Sequence, residues 1–398
     1  MSRYNFDEVI ARQGTNSTKW DNNMAMFGRE DVLDMWVADM DFPVPEPVVR
    51  AMRERLEHPI FGYTLTSADL LQAIVDRVKR EFGWNIRKEW IVLNGGVVDG
   101  LYSTLQAFTH PGDEVIVQPP VYYPFMGAVK NTGTQVLYNP LINTNGHYTM
   151  DVDNFASHFV PRTSFPLRTP RVKAFILCSP HNPVGRVWKG EEIEAVADIC
   201  VTNDCLILSD EIHAELLLNG HRHTVTAMLS EEIAERTVTF MAGSKTFNLA
   251  GLGTSFAIVQ NDKLRKDYIV SRAGRNGGNL MGVIALEAAY RQGDPWLHQL
   301  RDYLQGNFDL FRSHIEAKMP QLKVSTVEGT YLAWVDMRAL GLSLSELQRF
   351  MREEARLAVD DGYAFGPGGE GFQRFNLATP RSLVREALER LERAIGAL

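Results

Sequence analysis

Cysteine is scarce in this chain: Cys178, Cys200 and Cys205 are the only three among 398 residues. An odd, sparse set without metal-type spacing argues against a disulfide framework and a metal site. It reads as reduced thiols of a cytoplasmic protein. The plainer reading of all three is buried small hydrophobes. Long apolar runs are also missing. No stretch approaches the roughly 20 residues that cross a bilayer, so no membrane partner is expected. The longest runs, around Ala174–Cys178 and Cys205–Leu208, have strand length. The start, Met1-Ser2-Arg3-Tyr4-Asn5-Phe6-Asp7-Glu8, lacks the basic-then-apolar order of a secretion signal, and none is expected. Positive charge is in deficit, with 41 Lys and Arg against 49 Asp and Glu. The net charge of −8 argues against a nucleic-acid partner, which needs a basic face. Internal repeats and low-complexity segments are absent.

What is there is an ordinary globular composition, 45% hydrophobic and 23% charged. The chain is too long for one ordinary core. Short apolar strands alternate with helix-period stretches: Trp90–Leu93, Glu114–Val117, Lys173–Leu177, Leu206–Leu208 and Val238–Met241. That alternation predicts an α/β fold with a mostly parallel, buried central sheet flanked by helices. The segment Asp41-Phe42-Pro43-Val44-Pro45-Glu46-Pro47 is dense in proline and marks a crossing between units. After about Ala289 the pattern changes. Helices are predicted over Pro295–Lys318, Leu344–Leu357 and Arg381–Ile395, flanking β-like runs at Thr330–Val335 and Phe372–Leu377. The expected division is a large domain over 46–289 and a smaller α+β domain from 1–45 and 290–398.

Polar punctuation falls just past the predicted strand ends, where open parallel sheets bind ligands. Lys245, in Gly243-Ser244-Lys245-Thr246-Phe247, carries an amine that can condense with an aldehyde. Ser244 beside it can donate to a phosphate. Any single lysine is more often solvated surface. Asp210, in Ser209-Asp210-Glu211-Ile212-His213, is a carboxylate at the end of an apolar strand, costly to bury without a partner. A protonated pyridine nitrogen is one such partner; a helix N-cap is the plainer alternative. Asn182, in Ser179-Pro180-His181-Asn182-Pro183-Val184-Gly185, can donate to a phenolic oxygen, or simply mark a turn. Gly95-Gly96-Val97-Val98 opens a helix whose first amides can hold an anion. It lacks the spacing of a P-loop or dinucleotide fingerprint. Tyr122 and Tyr123, after Pro119-Pro120-Val121, can stack on a flat heterocycle or sit in a core. Tyr363–Gly369 is a glycine-rich gate or, more simply, a long turn.

Taken in order along the chain, these motifs resemble the fold-type-I pyridoxal-5′-phosphate enzymes, the aspartate-aminotransferase-like group. The resemblance covers nearly the whole chain. It implies that Gly96, Val97 and Val98 offer phosphate-binding amides and that Tyr122 stacks on the cofactor ring. It further implies that Asn182 contacts the ring oxygen, Asp210 the ring nitrogen and Lys245 the aldehyde carbon. Arg374, in Gly371-Phe372-Gln373-Arg374-Phe375-Asn376, falls where that family places its substrate-carboxylate arginine. A guanidinium suits a bidentate carboxylate pair. Tyr123 and Asn182 are expected beside the substrate.

Three segments resemble the cystathionine β-lyase/C–S lyase subgroup, the MalY/PatB type. They are Trp36-Val37-Ala38-Asp39-Met40-Asp41-Phe42, Phe61-Gly62-Tyr63 and Gly329-Thr330-Tyr331-Leu332-Ala333-Trp334. In that subgroup the tyrosine matching Tyr63 reaches the cofactor phosphate of the neighbouring subunit, which implies a homodimer. His213 stands where many aminotransferases have a tyrosine, and is expected at the cofactor. Gly253 replaces a usual phosphate-binding arginine, and Ala242 a frequent hydroxyl. The expected function is a carbon–sulfur β-lyase that cleaves cystathionine or related L-cysteine S-conjugates to a thiol, pyruvate and ammonia. Two alternatives stay open: a class I/II aminotransferase, and a lyase with an added regulator-binding role.

Overall fold

The computed structural model describes residues 4–159, 171–272, 274–275 and 277–398. Seven strands form the central sheet: β1 (Ile91–Asn94), β2 (Glu114–Val117), β3 (Gln135–Tyr138), β4 (Val172–Cys178), β5 (Leu206–Asp210), β6 (Thr237–Met241) and β7 (Ser255–Ile258). Their spatial order is β1-β7-β6-β5-β4-β2-β3. β7 runs antiparallel to both its neighbours, and the other pairings are parallel. The central strands read as continuous apolar runs because helices cover both faces. In β4 the residues from Ala174 to Cys178 are all buried. The parallel expectation holds, with β7 and the edge strand β3 as additions. Both are short and lack an alternating pattern of their own.

Helix Val97–Phe108 lies on β6 through a glycine. A Cβ on Gly100 would stand 2.6 Å from the Phe240 ring. Only glycine permits that approach.

A second sheet is antiparallel throughout. Its strands are β8 (Lys323–Val324), β9 (Leu332–Asp336), β10 (Asp360–Asp361) and β11 (Phe372–Asn376), in the order β8-β9-β11-β10. Helices Asp294–Lys318 and Arg381–Ile395 match their expected spans. The helix expected over Leu344–Leu357 does not. Its α-helical part ends at Arg349, a wider π turn covers Phe350–Glu354, and Arg356 turns to φ 51°. Leu357 and Ala358 instead pair in parallel with Leu33 and Asp34. A partner more than three hundred residues away overrides the local helical period. The stretch Tyr363–Gly369 is a turn, anchored by the fully buried Phe365 against Trp334 and Tyr123.

Candidate active site

One cavity of about 250 Å³ opens at the strand ends. It is lined by Gly96, Val97, Val98, Tyr122, Asn182, Asp210, His213, Ser244 and Lys245, all expected from the sequence. It also takes in Ala38, Gly95, Cys178, Ile212, Ala250, Gly253 and Thr254.

Asp210 closes β5 and is 4% exposed. No helix follows it, so the N-cap alternative fails. Its Oδ1 accepts from Ile212 N at 3.1 Å, the one hydrogen bond to its carboxylate among the described residues. Burial pushes its pKa up to about 7, against the pull of that bond and of Lys245. It is a buried carboxyl facing the cavity, with no ion pair among the described residues. Cys178 on β4 stands opposite it in register. Burial raises that thiol well above its usual range, which keeps it neutral.

Lys245 follows β6 in a single helical turn, Gly243–Thr246. Its Nζ donates to Ala38 O at 2.7 Å. The side chain opens onto the cavity, yet the cavity lies deep in the protein. Burial, then the Arg374 charge, draws the amine pKa down to about 8. His213 is 3% exposed and packs edge-on against Tyr331. Burial holds its ring well below the usual imidazole range, so it is neutral.

The helix Val97–Phe108 starts at Gly96 with no side-chain cap. Its first amides therefore face the cavity unclaimed by a capping side chain, the arrangement that suits an anion. Gly253 adopts φ 47° beside Gly95 O. An arginine there would be strained, which fits the missing phosphate-binding arginine. Thr254, which the sequence reading overlooked, supplies a hydroxyl to the same lining.

A second wall is a strap, residues 36–41. Arg374 donates to Trp36 O at 3.0 Å, and Asn376 donates to Val37 O and Asp39 O at 2.7 and 2.5 Å. Asn248 holds Met40 at both its N–H and its carbonyl, each at 3.0 Å. Arg12 and the fully buried Lys19 pair with Asp41. The strap carbonyl presented to the cavity is that of Ala38, which also accepts from Tyr331 Oη at 2.7 Å. Thr330, just before Tyr331, is held at φ 71°. That is a strained conformation for a β-branched residue, of the kind found at functional sites.

Arg374 lies behind Asn182 rather than on the cavity lining itself. Its Nη1 donates to Asn182 Oδ1 at 3.0 Å. The Asn182 amide nitrogen is thereby left for the cavity. Arg374 Nε is buried with no acceptor. Tyr123 sits at the rim, 44% exposed, with its ring 5.5 Å from that of Tyr122. Burial pushes the Tyr122 phenol up to about 12, so it remains protonated. Tyr63 is not brought to this cavity. It is fully exposed, in an exposed segment with Ile60, Phe61 and Leu65. The sequence assigns no role to Thr254, to Ala38, which acts through its backbone and lay within a noted motif, to Tyr331, or to Asp360, whose carboxylate accepts from Arg374. Tyr331 fell within a noted motif. Asp360 carried no signal apart from its neighbour Asp361.

The chain is similar over nearly its whole length to proteins of known family and structure. The family model "Aminotransferase class I and II" matches residues 30–391. "Cystathionine beta-lyase PatB" of Bacillus subtilis is 40% identical over 98% of this chain and 100% of its own length. "Protein MalY" of Escherichia coli is 30% identical over 99% of this chain and 100% of its own. The crystal structure of cystalysin from Treponema denticola, which contains pyridoxal 5′-phosphate, superposes with a TM-score of 0.94. It is 35% identical, and the match covers 100% of both chains. The pyridoxal-phosphate-bound C–S lyase from Staphylococcus hominis gives a TM-score of 0.90 at 32% identity, over 99% of this chain and 98% of that one. By the span of the family match and the identity to these relatives, the chain belongs to the class I and II aminotransferase family.

Proposed function

We propose that this protein is a pyridoxal-phosphate-dependent carbon–sulfur β-lyase that cleaves cystathionine or related L-cysteine S-conjugates to a thiol, pyruvate and ammonia. The observation that carries the cofactor is Asp210. A buried carboxyl with a raised pKa, one backbone hydrogen bond and no ion pair among the described residues suits a cationic partner placed in the cavity. A protonated pyridine nitrogen is that partner. The rest of the cavity fits the same group. Lys245 offers an amine to an aldehyde, the amides of Gly96, Val97 and Val98 with Ser244 and Thr254 suit a phosphate, and Tyr122 offers a ring face.

Bound pyridoxal phosphate supplies an electron-withdrawing ring that accepts the electron pair of the broken Cα–H bond. The chain's own groups do the rest. Arg374, oriented by Asn182, receives the substrate α-carboxylate. Lys245, its amine pKa drawn down to about 8, is the base for the Cα proton, with a larger free-amine fraction than an ordinary lysine and one that grows as pH rises toward that value. Asp210, charged opposite a cation, keeps the ring nitrogen protonated. The thiolate leaves from Cβ, and the three-carbon remainder hydrolyses to pyruvate and ammonia. An aminotransferase needs the same lysine, aspartate and arginine. Similarity to the cystathionine β-lyase PatB and to the C–S lyase of Staphylococcus hominis, with the strap and the Tyr331 segment that resemble the lyase subgroup, favours the lyase.

Further parts of the proposal concern organisation. Residues 46–289 form the large domain and 1–45 with 290–398 the small one. The exposed apolar segment around Tyr63 is buried by a second copy, with Tyr63 reaching the neighbouring cavity. The protein is cytoplasmic, in keeping with three buried free thiols; among the described residues no helix is long and apolar enough to cross a membrane.

The test is pyruvate release from L-cystathionine without any ketoacid, with the visible spectrum followed in parallel. Pyruvate together with a cofactor band is expected. A cofactor band without pyruvate, and amino transfer once a ketoacid is added, would turn the assignment to an aminotransferase.

A further inference from the structure

Arg374 carries a counter-ion that a simple carboxylate-binding arginine does not need. Asp360 on β10 is its cross-strand partner on β11. Directly opposed residues of an antiparallel pair project to the same face. The Asp360 carboxylate accepts from Arg374 Nη2 in a short, charge-assisted contact. The two side chains are 15% and 3% exposed. Nη1 is meanwhile engaged by Asn182, and Nη2 also by Trp36 O. The guanidinium is thus neutralised before any substrate arrives, while its Nε is buried without an acceptor.

We propose that Asp360 is a resident carboxylate on the Arg374 site, which sets how tightly α-carboxylates bind there and couples their binding to proton uptake. The inference rests on Arg374 as the receiver of the substrate carboxylate. An arriving carboxylate shares the guanidinium with Asp360 or displaces it. Two carboxylates on one cation repel, and protonation of Asp360 removes the repulsion. Asp360 also faces Asp361 on its own strand and the phenols of Tyr122 and Tyr123 from the loop after β2. Lys245, His213 and Tyr331 face the pair from the Arg374 side. Burial already holds Asp360 above the ordinary carboxylate range, with Arg374 opposing. A bound carboxylate raises it further. Affinity is therefore highest where Asp360 is neutral in both states. It falls as pH rises through the free-state pKa and levels off above the pKa of the complex.

The experiment uses protein saturated with pyridoxal phosphate and propionate as a non-reacting monocarboxylate. Asp360→Asn keeps an oxygen that accepts from Arg374 and removes only the charge. Calorimetric titration from about pH 5 to about pH 8 spans the carboxyl range. At the upper end the variant is expected to bind propionate about tenfold more tightly than the natural chain, one pKa unit of coupling being a factor of ten. The natural chain's Kd should climb with pH more steeply than the variant's. Equal or weaker binding by a variant that melts like the natural chain overturns the proposal. If the variant melts early, the natural chain alone decides. Its heats in buffers of different ionisation enthalpy report proton uptake, and no uptake at any pH overturns the proposal. Arg374→Gln is the control. If it binds propionate undiminished, the carboxylate reading of Arg374 itself is lost, a result separate from the failure of Asp360→Asn.

Discussion

The cavity floor draws its side chains from adjacent parallel strands, whereas the strap wall joins Trp36 to Arg374 across 338 positions of sequence. On the floor, Asn182, Asp210 and Lys245 each follow the end of a short apolar strand. Sheet topology alone brings them together. On the wall nothing is local. Ala38 O accepts from Tyr331, and its strap is held by Asn376 at Val37 O and Asp39 O and by Asn248 at Met40 O, three other segments in all. Groups on the floor present side chains to the cavity, whereas the wall presents the Ala38 carbonyl and is held largely through backbone carbonyls.

Breaking the floor should have the largest effect. On the proposed mechanism Lys245→Ala removes the base and the amine that holds the cofactor, so kcat for pyruvate release should fall by about 10²–10⁴-fold. The melting temperature of the cofactor-free protein should hold or rise, since a buried amine is lost. Full turnover in that variant would end the assignment of Lys245.

Asp210→Asn should come next, with turnover lowered by roughly 10²-fold or more. The same residue gives a pH signature in cofactor-stripped protein. Its folded pKa, about 7, lies above the ordinary carboxylate value. The folded state therefore binds more protons than the unfolded state between those values, and stability drops as pH rises through that window. Stripped Asp210→Asn should thus melt higher than the stripped natural chain at mildly alkaline pH, and lose that advantage in acid. Parallel melting curves at every pH would contradict the picture of a carboxyl without a cation.

Wall substitutions sharpen the contrast. Asn376→Ala removes the donors to Val37 O and Asp39 O, two bonds worth about 1 kcal/mol each. Denaturant titration should detect that loss, and kcat should fall because Ala38 O is no longer fixed. An unchanged midpoint would mean the strap is held elsewhere. Smallest of the set is Tyr331→Phe, which deletes one donor to Ala38 O. A reduction in kcat of about fivefold, with KM unchanged, corresponds to one hydrogen bond. A change in KM alone would assign Tyr331 to substrate binding.

The same contrast explains how much could be read beforehand. Nine expected residues line the one cavity because strand-end motifs are local in sequence. Arg374, which only the resemblance singled out, stands behind Asn182, and Tyr123 stands at the rim. Tyr63 is exposed, since among the described residues nothing packs over it. The helix expected through Leu357 failed because the competing partner, Leu33, lies far away in sequence. Asp360 was invisible for the same reason: its meaning is its register against Arg374.

By itself the sequence determined the alternation of strands and helices, the polar groups at the strand ends and the chemistry they imply. Each of these follows from short-range steric preference and from the cost of burying charge. Only the tertiary structure decided which carbonyl meets Lys245, that Asp210 has no ion pair among the described residues and that Arg374 is already neutralised. Those facts depend on contacts between distant segments, where packing and hydrogen-bond geometry, rather than local propensity, fix what each group faces.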